Sequence, residues 1–405
     1  MSSTPILDGY KVIDFTQYLA GPTATRLMAE LGAEIIKVEM SPFGDPSRSF
    51  PYRSKEKRSA YFVQQNRGKK SLCIDIKNEK SKQVLADLIK ECDVLIENFA
   101  PGVIGRIGFS WEEVHKLNPK LVMCSISAFG QTGPLSHLPG FDYIAQAYAG
   151  VTSVIGEPDS PPSLPMLGIG DVTTGVHAAG ALSFALLDAH RTGEGQHLDI
   201  SLLDCYFHQH EINVQAYSAS KGKMVPRRAG SHHYAVAPTG IFQGPEGYIM
   251  ILALLHQWPV LCKAMGREEL TDDPLFATNE LRLENLKQLI VVIESWLQSF
   301  ATDDEAIAAL QAVRVPVAPV LTVPQAIDHP HHRARGTVRT VNDRMLGEFD
   351  MPGMPLKFSN HPDLLPLEAP FLGEQNREIL SEWLSYSDAQ IGELEDAGIL
   401  TSKPH

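Results

Sequence analysis

One acidic residue stands where a carboxylate could do covalent chemistry. In Gly168–Leu187, GIGDVTTGVHAAGALSFALL, Asp171 lies between Gly170 and a Val-Thr-Thr-Gly stretch, ahead of an apolar helix predicted from about Val176. Two readings share that placement. Asp is a favoured helix N-cap, and its carboxylate would accept from free backbone N–H groups. A helix N-terminus also stabilises the anion, lowering its pKa and keeping it ionised. Gly168 and Gly170 would then leave space for a ligand. An ionised carboxylate in a tight apolar site can attack an activated acyl carbon, with glycine N–H groups holding the oxyanion.

Other constellations are weaker. The first turn, TQYLAGPTATRLMAELG, lacks the Gly-x-Gly-x-x-Gly of dinucleotide sites, with Tyr18 and Leu19 where the backbone would approach a pyrophosphate. Glu39, at the end of the second strand, is therefore read as a structural hydrogen-bonding residue or a surface charge. HPHHRAR (His329–Arg335) has no helical His pair and reads as a solvated loop, so no metal is expected. There is no Gly-x-Ser-x-Gly elbow and no Walker loop. The five cysteines (Cys73, Cys92, Cys124, Cys205, Cys262) form no Cys-x-x-Cys and read as reduced thiols.

The elements that must position Asp171 alternate. YKVIDF (Tyr10–Phe15), EIIKVE (Glu34–Glu39), SLCIDI (Ser71–Ile76), DVLIENF (Asp93–Phe99) and LVMCSISAFG (Leu121–Gly130) read as strands. Amphipathic helices are predicted between them, at Gly21–Ala33, EKSKQVLADLIKEC and WEEVHKLNPK. That alternation predicts an α/β fold with a parallel sheet covered on both faces. LDISLLD (Leu198–Asp204) is a strand or a helix start. The expected organisation is a large domain over 1–217, a linker at 218–230, a small domain at 231–325, and a return over 326–405.

Composition bounds the partners. The 405 residues carry 48 acidic against 35 basic side chains, a formal charge of −13. An acidic surface repels phosphate backbones and anionic lipid, so neither nucleic acid nor membrane is expected. No apolar run is read as spanning a bilayer, and MSSTPILDGYKVID is not read as a signal peptide. The expected compartment is the cytoplasm.

The ordered motifs resemble the class III coenzyme A transferases, the CaiB/BaiF family, over nearly the whole chain. They are LDGYKVIDFTQYLAGP, GAEIIKVE, NRGKKSLCIDIK, DVLIENFAPGVIGRIG, NPKLVMCSISAFGQTGP, PGFDYIAQAYAG, GIGDVTTG, RTGEGQHLDISLLD and APFLGEQNREIL. The resemblance implies a Rossmann-like large domain built from both chain ends, a small inserted α/β domain, and two ring-like chains interlocked as a homodimer. It implies CoA transfer from an acyl-CoA to a small carboxylic acid, with acyl-CoA as substrate and no tightly bound cofactor. Asp171 falls on the family's catalytic aspartate, passing through an acyl anhydride and an aspartyl-CoA thioester. By the same matching, Leu19, Ala20, Asn98 and Phe99 would line the CoA site, and Ile74, Lys77 and Arg106 would meet its nucleotide end.

Departures from the family pattern narrow the expectation. Met40 stands where some relatives carry Arg beside the adenine. Leu19 replaces a polar residue found in formyl-CoA:oxalate transferases, which disfavours that substrate pair. The family's α-methylacyl-CoA racemases are the alternative reading. They need a histidine opposite the aspartate, and that position is Phe141, which cannot transfer a proton. Asp142 beside it reads as structural. Arg227, Arg228, His232 and His233 could recognise a second carboxylate, as in succinate.

Overall fold

The structure, a computed structural model, describes residues 4–50, 52–55, 57–361 and 364–403. The chain forms two compact units. One comprises Met1–Ala149, Met166–Gln209 and Pro330–His405; the other comprises Gly150–Pro165 and His210–His329. The division falls at Gln209, ahead of the expected boundary at 217. Residues 218–230, expected as a linker, lie within the second unit.

The first unit is built on a parallel six-stranded sheet. In chain order its elements are β1 (Lys11–Asp14), α1 (Ala20–Glu30), β2 (Glu34–Met40), α2 (Ala60–Asn66), β3 (Lys69–Ile74), α3 (Glu79–Lys90), β4 (Val94–Glu97), α4 (Val103–Arg106), α5 (Trp111–Leu117), β5 (Val122–Ser127), α6 (Asp142–Tyr148), α7 (Ile169–Thr192), β6 (His197–Ser201) and α8 (Leu202–His208). The strand order is β3-β2-β1-β4-β5-β6, and every pairing is parallel. That is the order of dinucleotide-binding α/β sheets, with the reversal between β1 and β4. The central strands are buried along their whole length because both of their faces are covered. LDISLLD divides between β6 and α8 at Ser201, whose side chain caps α8 by accepting from the Asp204 N–H.

The C-terminal residues complete this unit. Ile379, Leu380, Ile391, Leu394 and Leu400 enter the same core as Ile13, Ile36, Leu72 and Leu95. Their approach also covers the free edge of β3. Ser71 N–H donates to Gln375 Oε1 at 2.9 Å, and Cys73 N–H to Asn376 Oδ1 at 2.8 Å. Thr401 N–H donates to Cys73 C=O at 3.1 Å. An edge strand left open would template pairing with another chain. The Gln-Asn of APFLGEQNREIL thus has a physical reason. HPHHRAR is not a loop: Pro330–Ala334 is helical, and Arg333 pairs with Asp350 at 2.7 Å. All five cysteines are buried and free of disulfides.

The second unit has an antiparallel three-stranded sheet of β7 (Thr239–Gln243), β8 (Tyr248–Leu252) and β9 (Val317–Pro319). Its core gathers Phe242, Ile249, Trp258, Leu289, Ile293 and Leu310. Residues 150–165 join it through Arg228, whose guanidinium donates to the carbonyls of Ser153, Glu157 and Pro158. Arg228 is therefore committed to its own chain, which removes it as a candidate receptor for a second carboxylate.

A buried ionic network joins the carboxyl end of β1 to residues along β2 and to the start of β3. Asp14 accepts from Lys69 Nζ at 3.0 Å, from Thr25 Oγ1 at 2.7 Å and from Thr16 N–H at 2.8 Å. Lys37 pairs with Asp45 at 2.8 Å and donates to Thr16 C=O at 2.7 Å. Glu39, read as structural or surface, is buried and holds Arg48 at 2.6 Å and Ser71 Oγ at 2.6 Å. Burial alone would raise the Asp14 carboxyl, but the Lys69 and Lys37 charges outweigh it and hold the group at about 2. Asp14→Asn keeps the side-chain shape and leaves the buried Lys69 ammonium without its carboxylate, while Lys37 keeps only Asp45. The expected loss of unfolding free energy, measured by urea titration, is about 3–5 kcal/mol. A loss below about 1 kcal/mol would show that the network is solvated.

Candidate active site

The loop after β1 is clamped at almost every backbone group. Asn98, just past β4, accepts from Gln17 N–H and donates to Gln17 C=O, both at 2.8 Å. Lys37 holds Thr16 C=O, and Asp45 Oδ1 accepts from Tyr18 N–H at 3.3 Å. Under those constraints Tyr18 sits at φ +62°, a left-handed conformation that costs a non-glycine residue strain. Its ring meets Phe50 at 5.6 Å and Phe141 at 6.2 Å between centroids.

Beyond this loop a cavity of about 330 Å³ opens at the strand-order reversal. Its wall includes Gln17, Leu19, Ala20, Asn98, Phe99 and Asp171. The structure thus brings Asp171 together with Leu19, Ala20, Asn98 and Phe99. It does not bring in the remaining three. Ile74 is wholly buried in the sheet core, so its side chain cannot line a ligand site. Lys77 and Arg106 are exposed beyond the carboxyl ends of β3 and β4, outside the cavity. The side chain of Asn98 is occupied with Gln17, which makes it first a clamp on the loop.

Asp171 is not an N-cap. α7 begins at Ile169 with Gly168 in the cap position and no capping side chain, which puts Asp171 in the first turn. Nor do the glycines leave room for a ligand. A Cβ on Gly170 would lie 2.0 Å from Tyr206 Cε2, and one on Gly168 would lie 2.6 Å from Leu19 Cδ2. Their missing side chains admit protein instead. Gly175, farther along, lets α7 approach the Ala20 carbonyl of α1, where a Cβ would sit at 2.4 Å. Glycines at these positions mask the helix start, which the sequence pattern puts near Val176.

Among the described residues, Ile169–Thr192 is one helix long and apolar enough to cross a membrane by length and composition. It carries Asp171, Asp188 and Arg191 and packs along α1.

The orphan amides of this helix start are met by other elements. Gly170 N–H donates to Tyr206 Oη at 3.0 Å, and Asp171 N–H to Asp142 Oδ2 at 3.0 Å. Tyr206 Oη donates in turn to Asp142 Oδ1 and accepts from Gln146 Nε2 at 3.1 Å. The sequence reading missed Tyr206 and Gln146 because they are ordinary helix residues, and only the fold aims them at Gly170. It took Asp142 as structural, and the structure places it beside the predicted nucleophile.

The electrostatics reverse the expected shift. Burial, then the Asp142 charge, raises the Asp171 carboxyl to about 7, where helix-end stabilisation was expected to lower it. Burial and the charges of Asp171 and Asp45 push the Tyr61 phenol up, so it stays protonated beside them. Glu97, which accepts from Phe99 N–H at 2.7 Å, is raised by burial to about 7.

Comparison with known proteins names this arrangement. The profile of CoA-transferase family III matches residues 7–376. The chain belongs to that family. Mouse succinyl-CoA:glutarate CoA-transferase is 32% identical over 397 residues, covering 97% of this chain and 90% of the mouse protein. A formyl-CoA:oxalate CoA-transferase from Rhodopseudomonas palustris (strain ATCC BAA-98 / CGA009) is 34% identical over 417 residues, covering 98% and 97%. A CaiB/BaiF family protein from Brucella suis superposes with a TM-score of 0.82 at 33% identity, covering 94% of this chain and 100% of that one. The chain is accordingly an enzyme of the class III CoA-transferases.

The raised Asp171 carboxyl has two consequences. A nucleophile predicted at this position attacks only as the carboxylate, so kcat/KM for an acyl-CoA should rise with pH through an inflection near 7. Asp142→Asn removes the neighbouring charge and should move that inflection to lower pH; an unmoved inflection would refute the assignment. Stability runs the other way. A carboxyl raised on folding favours the native state when protonated, and this advantage is lost as pH rises through about 7. Asp171→Asn should therefore stabilise the protein by about 1–3 kcal/mol at pH 8 and by much less at pH 5, read by thermal melts at both.

Proposed function

We propose that the protein moves coenzyme A from an acyl-CoA donor to a small carboxylic acid, with Asp171 as the covalent nucleophile. The observation that carries this reading is the placement of Asp171. Among the described residues it is the one carboxylate in the wall of the cavity at the β1/β4 reversal, shared with Leu19, Ala20 and Phe99. Ligands of open α/β sheets bind at that reversal, beyond the carboxyl ends of the strands.

A carboxylate oxygen of Asp171 attacks the thioester carbonyl. The C–S bond breaks, leaving an aspartyl–acyl anhydride and CoA thiolate. The thiolate attacks the aspartyl carbonyl of the anhydride, giving an aspartyl-CoA thioester and releasing the donor acid as its carboxylate. The acceptor carboxylate then attacks that thioester, and the steps run in reverse. Each exchange divides one difficult displacement into easier ones. Coenzyme A is substrate throughout, and no resident cofactor is needed. Lys77 and Arg106, exposed past β3 and β4, supply positive charge for the nucleotide phosphates.

The named relatives, whose acids are oxalate and glutarate, support a small dicarboxylic acid as acceptor. A small dicarboxylic acid is therefore the first to assay, with succinyl-CoA as donor. Phe141, 69% exposed at the start of α6, offers no proton, so α-deuterium exchange without an acceptor acid is not expected.

The homodimer belongs to this reading too. Val172, Val176, Phe184 and Leu187 stand exposed along α7, and Tyr143, Ile144 and Tyr148 along α6. An apolar surface of that extent supports a face covered by a second chain. Light scattering should return twice 44.5 kDa at micromolar concentration, and a monomer would overturn the interlocked arrangement.

Incubation with acyl-CoA and hydroxylamine, followed by peptide mass mapping, should place a hydroxamate on Asp171. Asp171→Ala should lower kcat by at least ~10³-fold. An active preparation with Asp171 unmodified sinks the covalent route.

A further inference from the structure

The start of α7 has no capping side chain of its own, and the amides of Gly170 and Asp171 end on a tyrosine and on a carboxylate that the tyrosine itself binds. We propose that Tyr206 is a positioning residue for the transfer reaction: it fixes the first turn of α7 and the Asp142 carboxylate as one unit, and so sets where the Asp171 carboxylate points. The proposal rests on the covalent reading above.

The geometry supports a role beyond packing. Tyr206 is fully buried and does not line the cavity, so it cannot touch an acyl-CoA. Its ring lies over Gly170 so closely that no other residue type fits there. Its hydroxyl makes three hydrogen bonds, to the Gly170 amide on α7 and to Asp142 and Gln146 on α6. One oxygen thus ties α6 to the residue preceding the nucleophile. Asp142, held through Oδ1, presents Oδ2 to the Asp171 amide. Loss of the hydroxyl frees the first turn to fray by a fraction of an ångström while the ring still fills its place. Attack geometry is sensitive at that scale, whereas ground-state binding of CoA by other residues is not.

The test is Tyr206→Phe, which keeps the ring and deletes the hydroxyl. The expected result is a kcat lowered by about 10–100-fold, with KM for acyl-CoA within about twofold of wild type. The single-turnover rate of Asp171 hydroxamate formation should fall in step, with the fraction of folded protein unchanged by circular dichroism. A kcat within about twofold of wild type overturns the proposal. So does a loss that matches the loss of folded protein, which is what a purely structural tyrosine would give. If Tyr206→Phe does not fold, Gln146→Leu removes another partner of the same hydroxyl. Its expected kcat loss is about threefold to tenfold at constant KM, and unchanged kcat there also overturns the proposal. A wild-type protein that turns over without modification of Asp171 refutes the covalent reading itself. Modification at equal rates in wild type and Tyr206→Phe refutes only the role of Tyr206.

Discussion

The structure depends on keeping charges dry inside a parallel sheet. Asp14 and Lys69 are both fully buried and face each other at 3.0 Å, with Lys37 alongside. Each would be costly alone, and together with their hydroxyl and carbonyl partners they are satisfied. Their arrangement dictates the turn above. Thr16 is tied to Asp14 and Lys37, Gln17 to Asn98, and Tyr18 to Asp45. The left-handed Tyr18 persists because the surroundings over-determine it. A rigid wall for the cavity is the product.

The opposite wall is organised by a conflict. The first turn of α7 needs acceptors for its amides, and one of them is the Asp142 carboxylate, next to Asp171. What caps the helix therefore opposes ionisation of Asp171. Burial adds to that opposition. A carboxyl raised to about 7 is a stronger nucleophile, once ionised, than one held near 4, because basicity and reactivity toward carbonyl carbon rise together. The same raising destabilises the native state at neutral pH, the usual relation between a working site and its scaffold.

Much of the fold was legible because strands buried on both faces leave a plain signature. VLIE and VMCSIS could hardly be anything else between two amphipathic helices, and the parallel sheet follows. Asp171 was legible as an isolated acid in a glycine-rich setting. The beginning of its helix was not, because Gly168, Gly170 and Gly175 mimic a loop while serving close contacts with Leu19, Tyr206 and Ala20. Glu39 and Asn98 were visible as polar residues at strand ends, but their partners Arg48 and Gln17 lie in irregular segments whose course no periodicity encodes. Tyr206 was hidden for the same reason: a tyrosine in an apolar stretch gives no sign of which amide its hydroxyl will find.

The covering of β3 has a consequence for how the protein is made. Residues 375, 376 and 401 satisfy a strand laid down around residue 71, so more than three hundred residues separate the two halves of one edge. During synthesis the second unit, whose main segment ends at His329, emerges from the ribosome before those partners exist. It can collapse on its own while β3 waits with its ladder groups bare. Nascent chains of this enzyme therefore pass through a long interval as good clients for chaperones, and truncation near residue 370 would leave them there.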